Sequence, residues 1–208
     1  VISSDRGLCG ALNSNLFREA AQLPANTKFF TIGKKARQFL SRTQRQLVAD
    51  FTISETAAFS EFRPVIEAMI EAFNGGEIDS IEVLYPRYRN TLIQEATLTP
   101  FLPLNEFKSK LDALLAGEKA LAHDDREFLF EPNVEDILGP LLDRFLKRET
   151  YQLLLDGRAS EQSARMVAMK AATDNAKKLT DQLTLQYNKA RQAGITQEIL
   201  EITAAAQH

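Results

Sequence analysis

Two glycine-bearing turns are the first places in this 208-residue chain where residue type and spacing could support chemistry. Gly7-Leu8-Cys9-Gly10 lies between a strand pattern and a helix pattern, where a nucleotide phosphate can meet a helix N-terminus. Its spacing is not G-x-G-x-x-G, no third glycine follows, and Asp5 would set a carboxylate beside any phosphate. A structural turn is the better reading. Ile32-Gly33-Lys34-Lys35 lacks the upstream glycine and downstream Ser or Thr of a phosphate loop, and reads as another turn. Cys9 could be a nucleophile, but neither His123 nor His208 lies in a partner motif, so a small buried thiol is expected. With 2 histidines in unrelated polar contexts and 1 cysteine, no clustered metal-ligand set can be assembled. No catalytic, cofactor-binding or metal-binding residue is assigned, and no cofactor is expected. Positive charge collects further along: Arg148, Arg158, Arg165, Lys170, Lys177, Lys178, Lys189 and Arg191 make a mostly basic surface whose plainest reading is a solvated helix face.

The elements that must position these residues fall into two halves. Up to about Pro132, short apolar runs alternate with short helical patterns, the rhythm of an α/β layer. Val1 to Ser4 reads as a strand entered partway, since the chain opens without methionine or a signal segment. Asn13 or Ser14 is expected to cap a helix carrying Phe17, Ala20, Ala21 and Leu23, which ends near Pro24. Lys28 to Ile32 reads as a buried strand, and Lys34 to Leu40 as a brief helix. Phe62, Val65, Ile66, Met69, Ile70 and Phe73 form one apolar helical face, with Pro64 in the first turn and Asn74-Gly75-Gly76 as the stop. Ser80 to Tyr85 and Thr91 to Thr99 are extended candidates, while Asn105 to Arg126 reads as a polar helix or loop.

From Val134 onward, no proline follows Pro140 and only Gly157 and Gly194 interrupt a helix-forming composition. One helix on the order of 100 Å is expected. Val134, Leu138, Leu141 and Phe145, and again Ala172, Ala176, Leu179 and Leu183, step by four and three, which is coiled-coil spacing. Tyr187 and Ala190 then shift the register toward a hendecad. Such a seam needs a partner helix, supplied by an absent upstream segment or by another subunit. Composition is that of a globular chain: 44% hydrophobic, 25% charged, net charge -3. That argues against disorder and against a global attraction to nucleic acid. The single cysteine excludes an intrachain disulfide and fits a reducing compartment. No apolar run is long enough to insert across a bilayer.

Two blocks carry a family likeness over essentially the whole chain. Ser4-Asp5-Arg6-Gly7-Leu8-Cys9-Gly10-Ala11-Leu12-Asn13 resembles the signature that closes the first strand of the central domain in ATP synthase gamma subunits. Ala159 through Ala176, with Tyr187-Asn188-Lys189-Ala190-Arg191-Gln192 and Ile195-Thr196-Gln197-Glu198-Ile199, is similar to that family's C-terminal shaft helix. The resemblance implies an α/β fold: a Rossmann-like central α/β domain over residues 1–132 and a long C-terminal coiled-coil helix over 133–208, without the family's N-terminal partner helix.

It also implies a rotor of the central stalk, non-catalytic by itself, that couples proton flow in the membrane sector to ATP synthesis or hydrolysis on neighbouring subunits. The implied partners are the alpha and beta subunits of the catalytic head, the epsilon subunit and the membrane c-ring, with neither nucleic acid nor lipid insertion. Arg165, Arg191, Gln192 and Thr196 match positions that engage a catalytic subunit or serve coupling. Asp5, Arg6, Gly7, Cys9, Gly10 and Asn13 match the signature turn. Phe128, Phe130 and Glu131 resemble the region that approaches the c-ring and epsilon, though alternating aromatic and acidic residues fit an edge strand equally well. The absence of a cysteine pair sets aside the chloroplast type, leaving the cytoplasmic face of a bacterial inner membrane or the matrix side of a mitochondrial one. The final stretch, Ile202 to His208, lacks the family's glycine and bulky apolar ending. The competing readings are a soluble α/β nucleotide-binding enzyme and a static coiled-coil scaffold.

Overall fold

The computed structural model describes residues 1–54, 56, 58–103 and 134–206. The chain divides into two compact units, Val1–Arg165 and Met166–His208.

In the first unit the chain runs α1 (Leu12–Gln22), β1 (Phe29–Ile32), α2 (Lys34–Arg42), β2 (Leu47–Phe51), α3 (Phe59–Asn74), β3 (Ile81–Tyr88) and β4 (Gln94–Leu102). It then enters α4 (Val134–Ala205), which continues into the second unit. β1 and β2 pair in parallel, with Phe30 opposite Ala49 and Ile32 opposite Phe51. β3 and β4 are antiparallel, with Val83 opposite Thr99 and Tyr85 opposite Thr97. Val1–Ser3 joins the two pairs. Ile2 forms a parallel bridge with Ile32, and its N–H donates to the Leu84 carbonyl at 2.9 Å. The opening segment is thus hydrogen-bonded to β1 on one side and to β3 on the other.

The strand pleat sorts side chains into two layers. Ile81, Val83 and Tyr85 project, two residues apart, into a cluster with Ile2, Ile32, Phe62, Val65, Ile66, Leu146 and Leu154. Leu84 points the other way and packs with Leu16 and Ala20 of α1, Phe29 and Leu40. So α1 and α2 cover one face of the sheet, while α3 and the first part of α4 cover the other, the layering expected of an α/β domain. Gly157 permits the close approach of α4: a Cβ there would sit 3.1 Å from Ile2 Cγ2.

Several sequence expectations change. Asn13 does not cap α1, whose N-cap is Ala11 without a side-chain bond; the Asn13 amide is drawn inward by Ser4 and Cys9. Pro64 lies beyond the first turn, because α3 begins at Phe59. The second hairpin strand begins at Gln94 rather than Thr91. Asn90 Oδ1 accepts from Leu92 N at 2.9 Å and from Ile93 N at 2.8 Å, a side-chain turn that withdraws those residues from the ladder. β2 carries no periodic signal in the sequence, since its five residues, none of them buried, are too few to show a period. The expectations for Asn105 to Arg126 and for Phe128, Phe130 and Glu131 lie outside the described residues.

The second unit is helix up to Ala205. From Lys170 to Ala206 none of its residues is buried. Leu179, Leu183, Tyr187, Ile195 and Ile199 are all exposed. No helix among the described residues is long and apolar enough to cross a membrane.

Candidate functional site

The N-terminus of α2 would be an anion site if its first-turn amides were open. They are not. Lys34 N donates to Asp5 Oδ1 at 3.0 Å, Lys35 N to the Ser4 carbonyl at 3.2 Å, and Ala36 N to Ser3 Oγ at 2.9 Å. Gly33 makes the contact possible, with φ at +100° and no room for a Cβ beside the Ser3 carbonyl. The chain's own carboxylate and oxygens therefore occupy the place a phosphate would need.

Beyond Asp5 the signature turn is tight. Leu8 and Gly10 take φ of 64° and 59°, and the Leu8 side chain is exposed. Cys9 turns inward against Leu12 and Ala164 and is 2% exposed, the small buried thiol its context suggested. Asn13 closes the turn: Nδ2 donates to Ser4 Oγ at 2.7 Å and to Cys9 Sγ at 3.2 Å, while Oδ1 accepts from Ser4 N at 3.3 Å. Ser4 Oγ in turn donates to the Arg6 carbonyl at 2.7 Å. Gly7 stands in open space. These bonds account for an Asn at position 13 structurally, without a ligand.

Opposite the turn, α4 presents Arg158, Glu161 and Arg165, whose spacing places them on one helix face. Arg158 Nη1 lies 3.2 Å from Glu161 Oε2 and 3.7 Å from Asp5 Oδ2, and Nη2 donates to the Ile53 carbonyl at 3.0 Å. The other Glu161 oxygen, Oε1, accepts from Arg165 Nη2 at 2.7 Å. Arg165 Nη1 donates to Gln162 Oε1 at 3.2 Å. Burying a carboxylate is costly unless each oxygen keeps a charged donor, and the two arginines supply one each. Beside them a cavity of about 180 Å³ is lined by Asp5, Arg6, Arg158, Glu161 and Gln162.

The expected solvated basic face is therefore corrected at two positions. The side chains of Arg158 and Arg165 are only 14% and 23% exposed, because both turn into this ion-pair chain. Arg191, Gln192 and Thr196 belong to the second unit and are exposed. Thr196 Oγ1 donates to the Gln192 carbonyl at 2.9 Å, one turn back. The structure thus brings Arg165 together with the signature turn within the first unit. Glu161, Ser3 and Ser4 were not singled out from sequence. For Glu161 the signal was available: it stands three residues after one arginine and four before another. The roles of Ser3 and Ser4 depend on a partner helix about thirty residues away and had no local signal.

Cys9 Sγ accepts from the Asn13 amide at 3.2 Å and lies 3.8 Å from the Ser4 hydroxyl. No group of three His, Cys, Asp or Glu that could hold a metal ion occurs among the described residues.

A family model described as "ATP synthase" matches residues 1–207. The ATP synthase gamma chain of Opitutus terrae is 47% identical, over 99% of this chain and 71% of that relative. The gamma chain of Stenotrophomonas maltophilia is 42% identical over the same shares. Among solved structures, a chain of the Euglena gracilis mitochondrial ATP synthase (OSCP, F1 and c-ring) superposes with TM-score 0.70 at 22% identity, covering 99% of this chain and 70% of that one. A chain of the Tetrahymena thermophila mitochondrial ATP synthase central stalk and c-ring gives 0.62 at 25% identity, over 83% and 74%.

Proposed function

Because this chain belongs to the ATP synthase gamma chain family, we propose that it works as the rotor that couples proton flow in the membrane sector to nucleotide chemistry on neighbouring subunits. It is a central-stalk subunit of a peripheral membrane complex. In this reading residues 1–132 form the body through which torque enters, and residues 133–208 form the element that carries it. The alpha and beta subunits surround that helix, while epsilon and the c-ring meet the body. Phe128, Phe130 and Glu131 belong to the latter contact. The complex sits on the cytoplasmic face of a bacterial inner membrane. By itself the chain is non-catalytic, a reading supported by the filled α2 N-terminus and the enclosed Cys9 thiol.

One observation carries the proposal: the second unit bears Leu179, Leu183, Tyr187, Ile195 and Ile199, all exposed. Apolar side chains spread along a helix with no cover of their own call for protein neighbours. Among those neighbours, Arg165, Arg191 and Gln192 offer a guanidinium fork and an amide that can make and release carboxylate and carbonyl contacts as the helix turns. Thr196 stands one turn beyond Gln192, whose carbonyl accepts from its hydroxyl. A rotor with unequal sides biases each surrounding catalytic subunit toward a different state, which is coupling in the thermodynamic sense.

The test is charge reversal of Arg165 together with Arg191 in the assembled enzyme. Coupled ATP synthesis should fall while assembly stays normal; full synthesis at normal assembly would remove both arginines from the coupling path. Reversible cross-linking of α4 to the surrounding ring separates a rotor, which stops and restarts, from a static scaffold, which keeps working.

A further inference from the structure

Glu161 is a carboxylate with 7% of its side chain exposed, on the last turns of the first unit. Its two oxygens are divided between two arginines, Oε2 to Arg158 and Oε1 to Arg165. Arg158 cannot drift, because it also holds the Ile53 carbonyl and lies beside Asp5, whose other oxygen accepts from the α2 N-terminus. An unbroken series of contacts therefore runs from α2 through Asp5, Arg158 and Glu161 to Arg165, and of the two arginines on Glu161 it is Arg165 that keeps the greater exposure, 23% against 14%. We infer that Glu161 is a positioning residue for Arg165, holding the guanidinium in one preset orientation so that it meets an acidic partner group as a fixed fork.

The physical advantage lies in repetition. A long arginine side chain gives up rotamer freedom each time it docks, and prior pairing removes that cost from every encounter. Gln162 holds the second arm of the same guanidinium, so two of its N–H groups are committed inside the chain and the others are left for a partner. Arg191, exposed on the second unit, has no such anchor among the described residues, so preset orientation is special to Arg165 of the two.

This inference rests on the reading of Arg165 as a coupling contact, and the experiment separates the two. The assembled complex in membrane vesicles is assayed for protons pumped per ATP hydrolysed, in Arg165→Gln, Glu161→Gln and the double variant. The expected result is a several-fold drop in that ratio for Arg165→Gln, a drop of comparable size for Glu161→Gln, and no further drop when both are combined. Glu161→Asp keeps the charge but withdraws the carboxylate by one methylene; it should give an intermediate ratio, and it replaces Glu161→Gln in the cycle if that variant does not assemble. A wild-type ratio in the Glu161 variants beside a lowered one in Arg165→Gln overturns the inference and leaves the Arg165 reading standing. Losses that multiply in the double variant also overturn it, since Glu161 would then act through general stability alone. An unchanged ratio in Arg165→Gln defeats the Arg165 reading itself.

Discussion

Leu146, Leu154 and Ala164 of α4 are buried in the α/β body, whereas Leu179, Leu183 and Tyr187 of the same helix are more than half exposed. Both stretches carry apolar residues at helical spacing, so the pattern marks an apolar face without saying whether this chain covers it. The charged residues divide the same way. Arg158 and Arg165 are locked to Glu161 within the chain, while Lys177, Lys178 and Arg191 lie in solvent. Even the glycines differ: Gly157 meets Ile2, and Gly194 faces open space. One helix thus serves two purposes. Its first part is core, answerable to the stability of this chain; its second part is exposed along its length.

Substitutions chosen in pairs put that division at risk. The largest effect is expected from Leu154→Ala, at a fully buried site, which should cost about 2–5 kcal/mol in urea unfolding of the isolated chain. Leu183→Ala should change it by less than about 0.5 kcal/mol, and a loss comparable to that of Leu154→Ala would mean that the second stretch is also core. Next, Gly157→Leu should cost about 1–3 kcal/mol by overpacking against Ile2. Gly194→Ala works in the opposite direction, adding up to about 1 kcal/mol of helix stability, read as raised helical circular dichroism on heating. Equal responses of the two glycines would erase the distinction between them.

The smallest expected effect belongs to the body alone. The Glu61 carboxyl is held below its ordinary value of 4.5 because it accepts from the Ser54 N–H and hydroxyl. A carboxyl depressed in the folded state contributes stability that is complete above its unfolded value and is lost as pH falls through the folded one. Acid unfolding of the first unit should therefore begin slightly higher in pH for Glu61→Ala than for the unaltered chain. Coincident acid limbs would remove this bond from the account.

Much of the body was legible because its signals are local. The apolar face of α3, the glycine stop after Asn74 and the Lys28 to Ile32 strand each declare themselves within a few residues, and the structure places α3 and β1 there. The site was legible only in part. The turn from Asp5 to Gly10 and the enclosed Cys9 followed from glycine placement and the lack of a partner base. The role of Asn13 did not, because the preference of Asn for helix starts is a local rule that a buried serine and thiol overrode. Arg158 and Arg165 looked solvated for a similar reason: charge on a helix says nothing of where the neighbouring body ends.

The amino-acid order by itself determined the family, the α/β alternation, the long terminal helix and its apolar seam, since all of these are written in periodicity and contiguous motif. Tertiary structure alone decided that residues 3–5 fill the N-terminus of α2, that Arg158 ties α4 to the signature turn, and that Arg165 leans on a buried carboxylate. Those contacts join positions far apart in the chain, where the cost of burying polar groups is met only by partners that folding brings within a few ångströms.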